Sequence, residues 1–252
     1  MLHRYILRLI RILVNKLGWV ERPNDDMFEK KLRALILRSA VFYGDKEAIQ
    51  QATHHFKQWI TDNQKIPANI RDIIYNAGIQ FGSDVEWNHC WNKYLNVTDA
   101  SEKRLLLGAL SSTRNHYLLS AYLSSSLNKS LVRTQDTPFV IQNVARNPIG
   151  REMAWKFAKT NWARIIAIFG QGSFSLDTII SETTWHFFTQ EEYQEVKQFF
   201  ESVHSVGSGK QAVRQSLEKI QANIYWKAHV ESRVIWWLNN THNMNSNRFS
   251  FE

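Results

Sequence analysis

The sequence predicts an all-α protein, and three observations carry that expectation. Its apolar residues recur at helical rather than alternating spacing. Only ten glycines and four prolines interrupt 252 residues, so long helices with short connections are favoured. Composition supplies the core: 44% hydrophobic and 13% aromatic residues suffice for a continuous buried interior.

Taken in order, Leu2, Ile6, Leu9, Leu13 and Leu17 form one stripe on an opening helix that Gly18 stops. Asn24-Asp25-Asp26 caps a second helix with Leu32, Leu35, Ile36, Ser39 and Ala40 on its buried side. Gly44-Asp45 starts a third, with Ala48, Ala52, Phe56 and Trp59. Pro67 stands in the first turn of a helix through Ile70, Ile73, Ile74 and Ala77, where its missing N–H costs nothing. Gly82-Ser83 opens the helix carrying Trp87, Cys90, Trp91 and Tyr94. Asp99 caps a run through Leu105, Leu106, Ala109 and Leu110, and a shorter helix holds Leu118, Leu119, Tyr122 and Leu123.

The second half begins with Asp136-Thr137-Pro138 ahead of Val140, Ile141 and Val144. Asn147-Pro148-Ile149-Gly150 then opens a longer helix expected to run to Gly170. Helices over 175–186 and 189–203 follow, and a last long one from near Gly209 to about Leu238. Such pairs recur about every 35–40 residues, the spacing of HEAT or armadillo repeats. A globular helical bundle gives much the same pattern, and no strict sequence repeat is present. Residues 1–240 are expected to form one domain, with a mild boundary near 170–175 and a frayed tail over 241–252.

The formal net charge is +8, but basic residues are interleaved with acids, as in Glu29-Lys30-Lys31, so a solvated surface is expected and no nucleic-acid partner. Arg4, Arg8 and Arg11 break the first apolar stretch before it could serve as a secretory signal, although Arg-rich amphipathic character also suits a mitochondrial presequence. No stretch approaches the roughly 20 apolar residues of a membrane span. Three sequons, at Asn96, Asn128 and Asn239, are glycan acceptors if the chain enters the secretory route. Cys90 is the single cysteine, which excludes an intrachain disulfide and a cysteine-ligated zinc site.

Catalytic patterns are missing from the sequence. No histidine is followed by glutamate, so the HExxH arrangement of zinc peptidases is absent. His54 and His55 are adjacent, which points them to different sides of a helix. No Gly-x-Ser-x-Gly elbow occurs, and Gly170-Gln171-Gly172-Ser173 lacks the Lys that would complete a phosphate cradle. Trp87 with Trp91, Trp155 with Trp162, and Trp236 with Trp237 stand at spacings expected of core seams, an exposed aromatic peptide groove being the sharper alternative.

Several stretches resemble the C-terminal helical domain of the aminopeptidase-N-like zinc peptidases. They are Leu17-Gly18-Trp19, the run Leu32 to Leu37, Ala48 through Phe56 with Trp59, and above all Leu131 to Trp162 with its R-x-Q-D, N-P-x-G, A-W-x-F and N-W elements. Gly172-Ser173-Phe174, Phe199-Phe200 and Asn223-Ile224-Tyr225-Trp226 are similar to the tail of that domain. The resemblance implies a superhelix of antiparallel helix pairs that caps a catalytic domain and encloses its peptide cavity, inert alone because HExxH and GxMEN are missing. It implies that Gln142 and Arg146 face that cavity, and that Arg133 and Asp136 hold a helix junction, the Asp as an N-cap. Zinc is implied for a parent catalytic domain only, with no cofactor in this chain. The implied partners are that catalytic domain and peptide, with self-association through uncovered apolar surface. A parent in this family is an ectodomain, secreted or lumenal, and the chain resembles a piece starting inside the domain. The alternative is a stand-alone helical-repeat module that binds peptide or protein.

Overall fold

In a computed structural model the protein is described over residues 1–171 and 174–246, the last six by backbone alone. Among the described residues it consists of fourteen α-helices and three 3-10 turns, with no strand. It divides into two compact units, one of Met1–Thr113 with Arg233–Glu252, the other Arg114–Ser232. Gly172 and Ser173, within the expected boundary, and residues 247–252, within the expected tail, lie outside the described residues.

The first unit holds α1 (Leu2–Leu17), α2 (Met27–Tyr43), α3 (Lys46–Asp62), α4 (Arg71–Phe81), α5 (Asp84–Asn96), α6 (Ala100–Leu110) and most of α14 (Glu231–Ser246). Packing is mostly between sequence neighbours, α1 on α2, α3 on α4 and α5 on α6, with α4 also against α6. Local chemistry sets the boundaries. Asp26 accepts from Glu29 N at 2.8 Å while Glu29 accepts from Asp26 N at 3.1 Å, a capping box that starts α2. Gly44, at φ 88°, ends it in the left-handed region that glycine enters without a Cβ penalty. Ser83 begins α5 with a capping box of the same kind, and Asp45 and Asp99 begin α3 and α6 by accepting from Ala48 N and Glu102 N.

A buried charge fixes the α1–α2 connection. Arg33 is 1% exposed and donates through Nη2 to Asp25 Oδ2 at 2.5 Å and through Nε to the Leu17 carbonyl at 3.2 Å. The guanidinium thereby closes the C-terminus of α1, where carbonyls lack helical partners. The backbone N–H of Arg22, and then the Arg33 side chain, hold the Asp25 carboxyl below its ordinary range. The opening stripe is only partly inward: Leu17 is buried, Ile6 and Leu13 are half-buried, and Leu2 and Leu9 are exposed. On α2 the predicted core residue Leu35 is also exposed, in line with Phe28 and Phe42, because Arg33, Ala34, Ile36, Leu37, Ala40 and Val41 occupy the inward face.

The second unit holds α7 (His116–Ser126), α8 (Thr137–Arg146), α9 (Arg151–Thr160), α10 (Trp162–Phe169), α11 (Phe174–Thr184), α12 (Gln190–Ser202) and α13 (Lys210–His229). α8 packs along α11, and α11 against α13 and α9, so α11 is central to this unit. Two expected long helices are each split. Asn161, at φ −103°, ψ 15°, separates α9 from α10; its backbone N–H and its side-chain Nδ2 both donate to the Phe157 carbonyl, at 3.0 and 2.9 Å. β-branched Val230, at φ −115°, separates α13 from α14. α14 continues to Ser246, beyond the expected end near Leu238.

Candidate functional site

The stretch from Leu131 to Trp162, which carried the resemblance, builds a hydrogen-bonded polar region of the second unit. Arg133 Nε donates to Asp136 Oδ2 at 2.7 Å, and Thr137 Oγ1 donates to the Ser126 carbonyl at 2.6 Å, tying the entry of α8 to the end of α7. Asp136 stands at the N-cap position of α8 but makes no capping bond with its side chain, which instead engages Arg133. Asn147-Pro148-Ile149-Gly150 turns the chain from α8 to α9. Asn147 Oδ1 accepts from Ile149 N at 3.0 Å, and a Cβ at Gly150 would stand 2.3 Å from the Val144 carbonyl oxygen. Space, not backbone angle, is what requires glycine there.

Gln142 and Arg146 lie one turn apart on α8, as i and i+4, and so share a face. Both meet Glu182 near the end of α11. Gln142 Nε2 donates to Glu182 Oε1 at 2.8 Å; Arg146 donates through Nε to Oε2 at 2.9 Å and through Nη2 to Oε1 at 2.7 Å. This is the two-pronged pairing that a planar guanidinium makes with a carboxylate. The Glu182 bond pushes the Arg146 pKa up, while Arg146 stays 57% exposed at its side chain and Glu182 20%. His186, just past α11, feels the same groups. Burial first, then the Arg151 cation, push its imidazole below the ordinary value; Glu182 opposes them and Arg146 adds to them. Arg151 Nε is buried without a hydrogen-bond partner.

The sequence brought Gln142 and Arg146 forward but missed Glu182, 36 residues beyond Arg146. No local signal could have found it, since α11 carries only Asp177 and Glu182 as acids and neither stands in a recognisable motif.

The tryptophans divide. Trp87, Trp155 and Trp162 are buried. Trp155 and Trp162 each pack against Phe199 and Phe200 with ring centroids 5.2–6.0 Å apart, and Trp162 Nε1 donates to the Ser205 carbonyl at 3.0 Å. Trp236 and Trp237, expected in a core seam, are instead 67% and 47% exposed, with Trp237 edge-on to Tyr5 at 5.3 Å. α14 buries Leu238 but turns both of these rings largely outward.

Open clefts lie among the described residues of the second unit. One of about 510 Å³ runs between α7 and α9 along Tyr117, Leu123, Met153, Lys156 and Phe157. A smaller one of about 240 Å³ is lined by Trp185, Phe188, Trp226 and Glu231. Among the described residues no three His, Cys, Asp or Glu side chains converge as metal ligands would. Cys90 is fully buried, and burial pushes its thiol up to about 12. Asn96 and Asn128 are exposed at the end of α5 and in the turn after α7, and Asn239 is exposed within α14. No described helix is long and apolar enough to cross a membrane.

An all-helical chain with the R-x-Q-D segment at the entry of α8 and the N-P-x-G segment at its exit fits a domain of the aminopeptidase class. Residues 1–222 match the ERAP1-like C-terminal domain, and the chain belongs to that family. It is 34% identical over 243 residues to the thyrotropin-releasing hormone-degrading ectoenzyme of Rattus norvegicus, covering 94% of the chain and 23% of that protein. It is 33% identical over 227 residues to endoplasmic reticulum aminopeptidase 2 of Bos taurus, covering 89% and 23%, and 32% identical over 224 residues to aminopeptidase N of Rattus norvegicus, covering 87% and 23%. The chain thus spans less than a quarter of the length of these relatives.

Proposed function

We propose that the chain serves as the C-terminal, cavity-enclosing domain of a zinc aminopeptidase, contacting peptide and catalytic domain and performing no bond cleavage by itself. The observation that carries this reading is the Gln142–Arg146 face of α8, where two polar side chains share one anchor, Glu182, in a family whose relatives are named as hormone-degrading and aminopeptidase enzymes. Zinc belongs to the parent's catalytic domain in this reading. Packing between sequence neighbours and next neighbours supports a HEAT-like stack of helix pairs within each unit. We take residues 1–240 as one functional domain. The relatives' names, as an ectoenzyme and an endoplasmic reticulum enzyme, support a parent that is an ectodomain, secreted or lumenal. Asn96, Asn128 and Asn239 would then be open to glycosylation. The exposed line Phe28, Leu35 and Phe42 supports self-association or contact with a partner.

The test is a chimera of rat aminopeptidase N in which this chain replaces the aligned segment. Zinc-dependent turnover with altered preference among aminoacyl substrates is expected, and no turnover by the chain alone. Chelator-sensitive cleavage by the isolated chain, after stringent repurification, would sink the reading. So would an active chimera whose preference ignores Gln142→Ala and Arg146→Ala. A stand-alone binding module is the second reading, favoured by the apolar cleft along Tyr117, Leu123, Met153 and Phe157. Peptide binding by the isolated chain, together with a folded but inactive chimera, would select it.

A further inference from the structure

The outward side of α1 is divided lengthwise into an apolar band and a basic one. Leu2 and Leu9 stand at i and i+7, as do Tyr5 and Ile12 beside them, so the four share one side of the helix. Leu2, Leu9 and Ile12 are 48%, 59% and 78% exposed. Tyr5 carries the band across to α14, where Trp237 meets it edge-on and the neighbouring Trp236 is exposed. Arg4, Arg8 and Arg11 form the adjacent band, all exposed, with the Arg8 guanidinium 5.7 Å from the centre of the Tyr5 ring. No acid occurs among residues 1–20, and among the described residues none of these three cations pairs with a carboxylate.

We propose that this face of α1, together with Trp236 and Trp237, is an interfacial membrane-binding surface that seats the first unit on an anionic lipid bilayer. A helix of 16 residues broken by arginines is too short and too charged to span a bilayer, which takes about 20 apolar residues. It suits a position in the plane of the interface, with its leucines and isoleucine at the acyl boundary and its arginine stems reaching back to the lipid phosphates. Trp and Tyr settle at the same depth, because each joins an apolar ring to a polar tip. Charge selects this occupant over a second copy of the chain, which would bring the same three unmatched cations to the contact. An anionic surface neutralises them instead.

The full chain is mixed with vesicles of phosphatidylcholine, with or without phosphatidylserine, and bound protein is separated by flotation. Binding to the anionic vesicles should be tighter by about a hundredfold, since each of three cations at the surface is worth about fivefold, and should weaken as salt is raised. The double variant Arg8→Gln/Arg11→Gln should lose about 25-fold on anionic vesicles. Ile12→Ser should lose about tenfold through its missing apolar contact. All three positions are exposed, so circular dichroism should show an unchanged fold. Lipids brominated along the acyl chain should quench the tryptophan fluorescence of the wild type, and quench Trp236→Phe less. Equal binding to both kinds of vesicle, no binding, or no quenching would overturn the proposal from the wild type alone, whatever the variants do. So would anionic binding that the double arginine variant leaves unchanged. A dimer in light scattering that Ile12→Ser disperses, without vesicle binding, would overturn it in favour of a second copy on this face.

Discussion

Gly78 lies in α4 directly over the ring of Phe56, and a Cβ placed there would meet the ring carbons at 2.1–2.4 Å, well inside contact distance. Phe56 is 1% exposed and also packs against Trp59 and Tyr75, so its ring has nowhere to retreat. In an unconstrained helix, alanine is favoured over glycine by about 1 kcal/mol. Here overpacking, worth about 1–3 kcal/mol and with no free volume to absorb it, should win. Gly78→Ala is therefore expected to lower the urea midpoint of the chain, and an unchanged or higher midpoint would show that α3 and α4 can separate without loss. Single residues of this kind explain where sequence reading falls short. Spacing placed Phe56 and Ala77 on inward faces, yet which glycine lies under which ring depends on the approach of α3 to α4, a distance that no local pattern encodes. Glu182 is the polar counterpart: its partners on α8 are set by how α8 lies on α11.

At the scale of elements, the sequence was most legible where a helix end is made by its own residues. Asp45, Ser83 and Asp99 cap the helices they were expected to cap, because a capping bond closes within three residues. It was least legible where a helix breaks inside an apolar period, as at Asn161, since an asparagine there gives no sign of whether it faces solvent or returns to its own backbone. That break has a consequence for packing. It places Trp162 at the start of α10, where its ring meets Phe199 and Phe200 and its indole N–H reaches Ser205. Trp162→Ala should cost about 3–5 kcal/mol through the cavity it leaves. Trp162→Phe retains most of the ring contact but orphans the Ser205 carbonyl, for a smaller loss of about 1–3 kcal/mol. Chemical denaturation of the two variants should rank them in that order. Equal losses would mean that the hydrogen bond, not the aromatic packing, holds α10 to the end of α12.

For the molecule as a whole, the perturbed ionisations point one way on the acid side and the other on the alkaline side. His55, His89 and His186 are all pushed below their ordinary value of 6.5, in each case first by burial. The unfolded chain therefore takes up those protons at higher pH than the folded one, and their stabilising contribution is complete above about 6.5 and lost as the pH falls through it. Glu86 and Glu195 are lowered too, the first mainly by the Ser83 side chain and the second mainly by Lys159, so their contributions are lost at still lower pH. Tyr75 and Cys90 are raised, chiefly by burial, which favours the folded chain only while both stay protonated. Above their unfolded values of 10.0 and 9.0 that contribution declines. Since all of these groups lie away from the exposed termini, the thermal midpoint should trace a dome with its crest between about pH 7 and 9. Melting followed by circular dichroism at half-unit steps checks this, with a His186→Gln variant flattening the acid limb between pH 7 and 5. A midpoint that holds level from pH 8 to pH 5 would mean that the imidazoles reach water in the folded state, and that the cluster of Arg146, Arg151 and Glu182 around His186 is looser than the hydrogen bonds between α8 and α11 require.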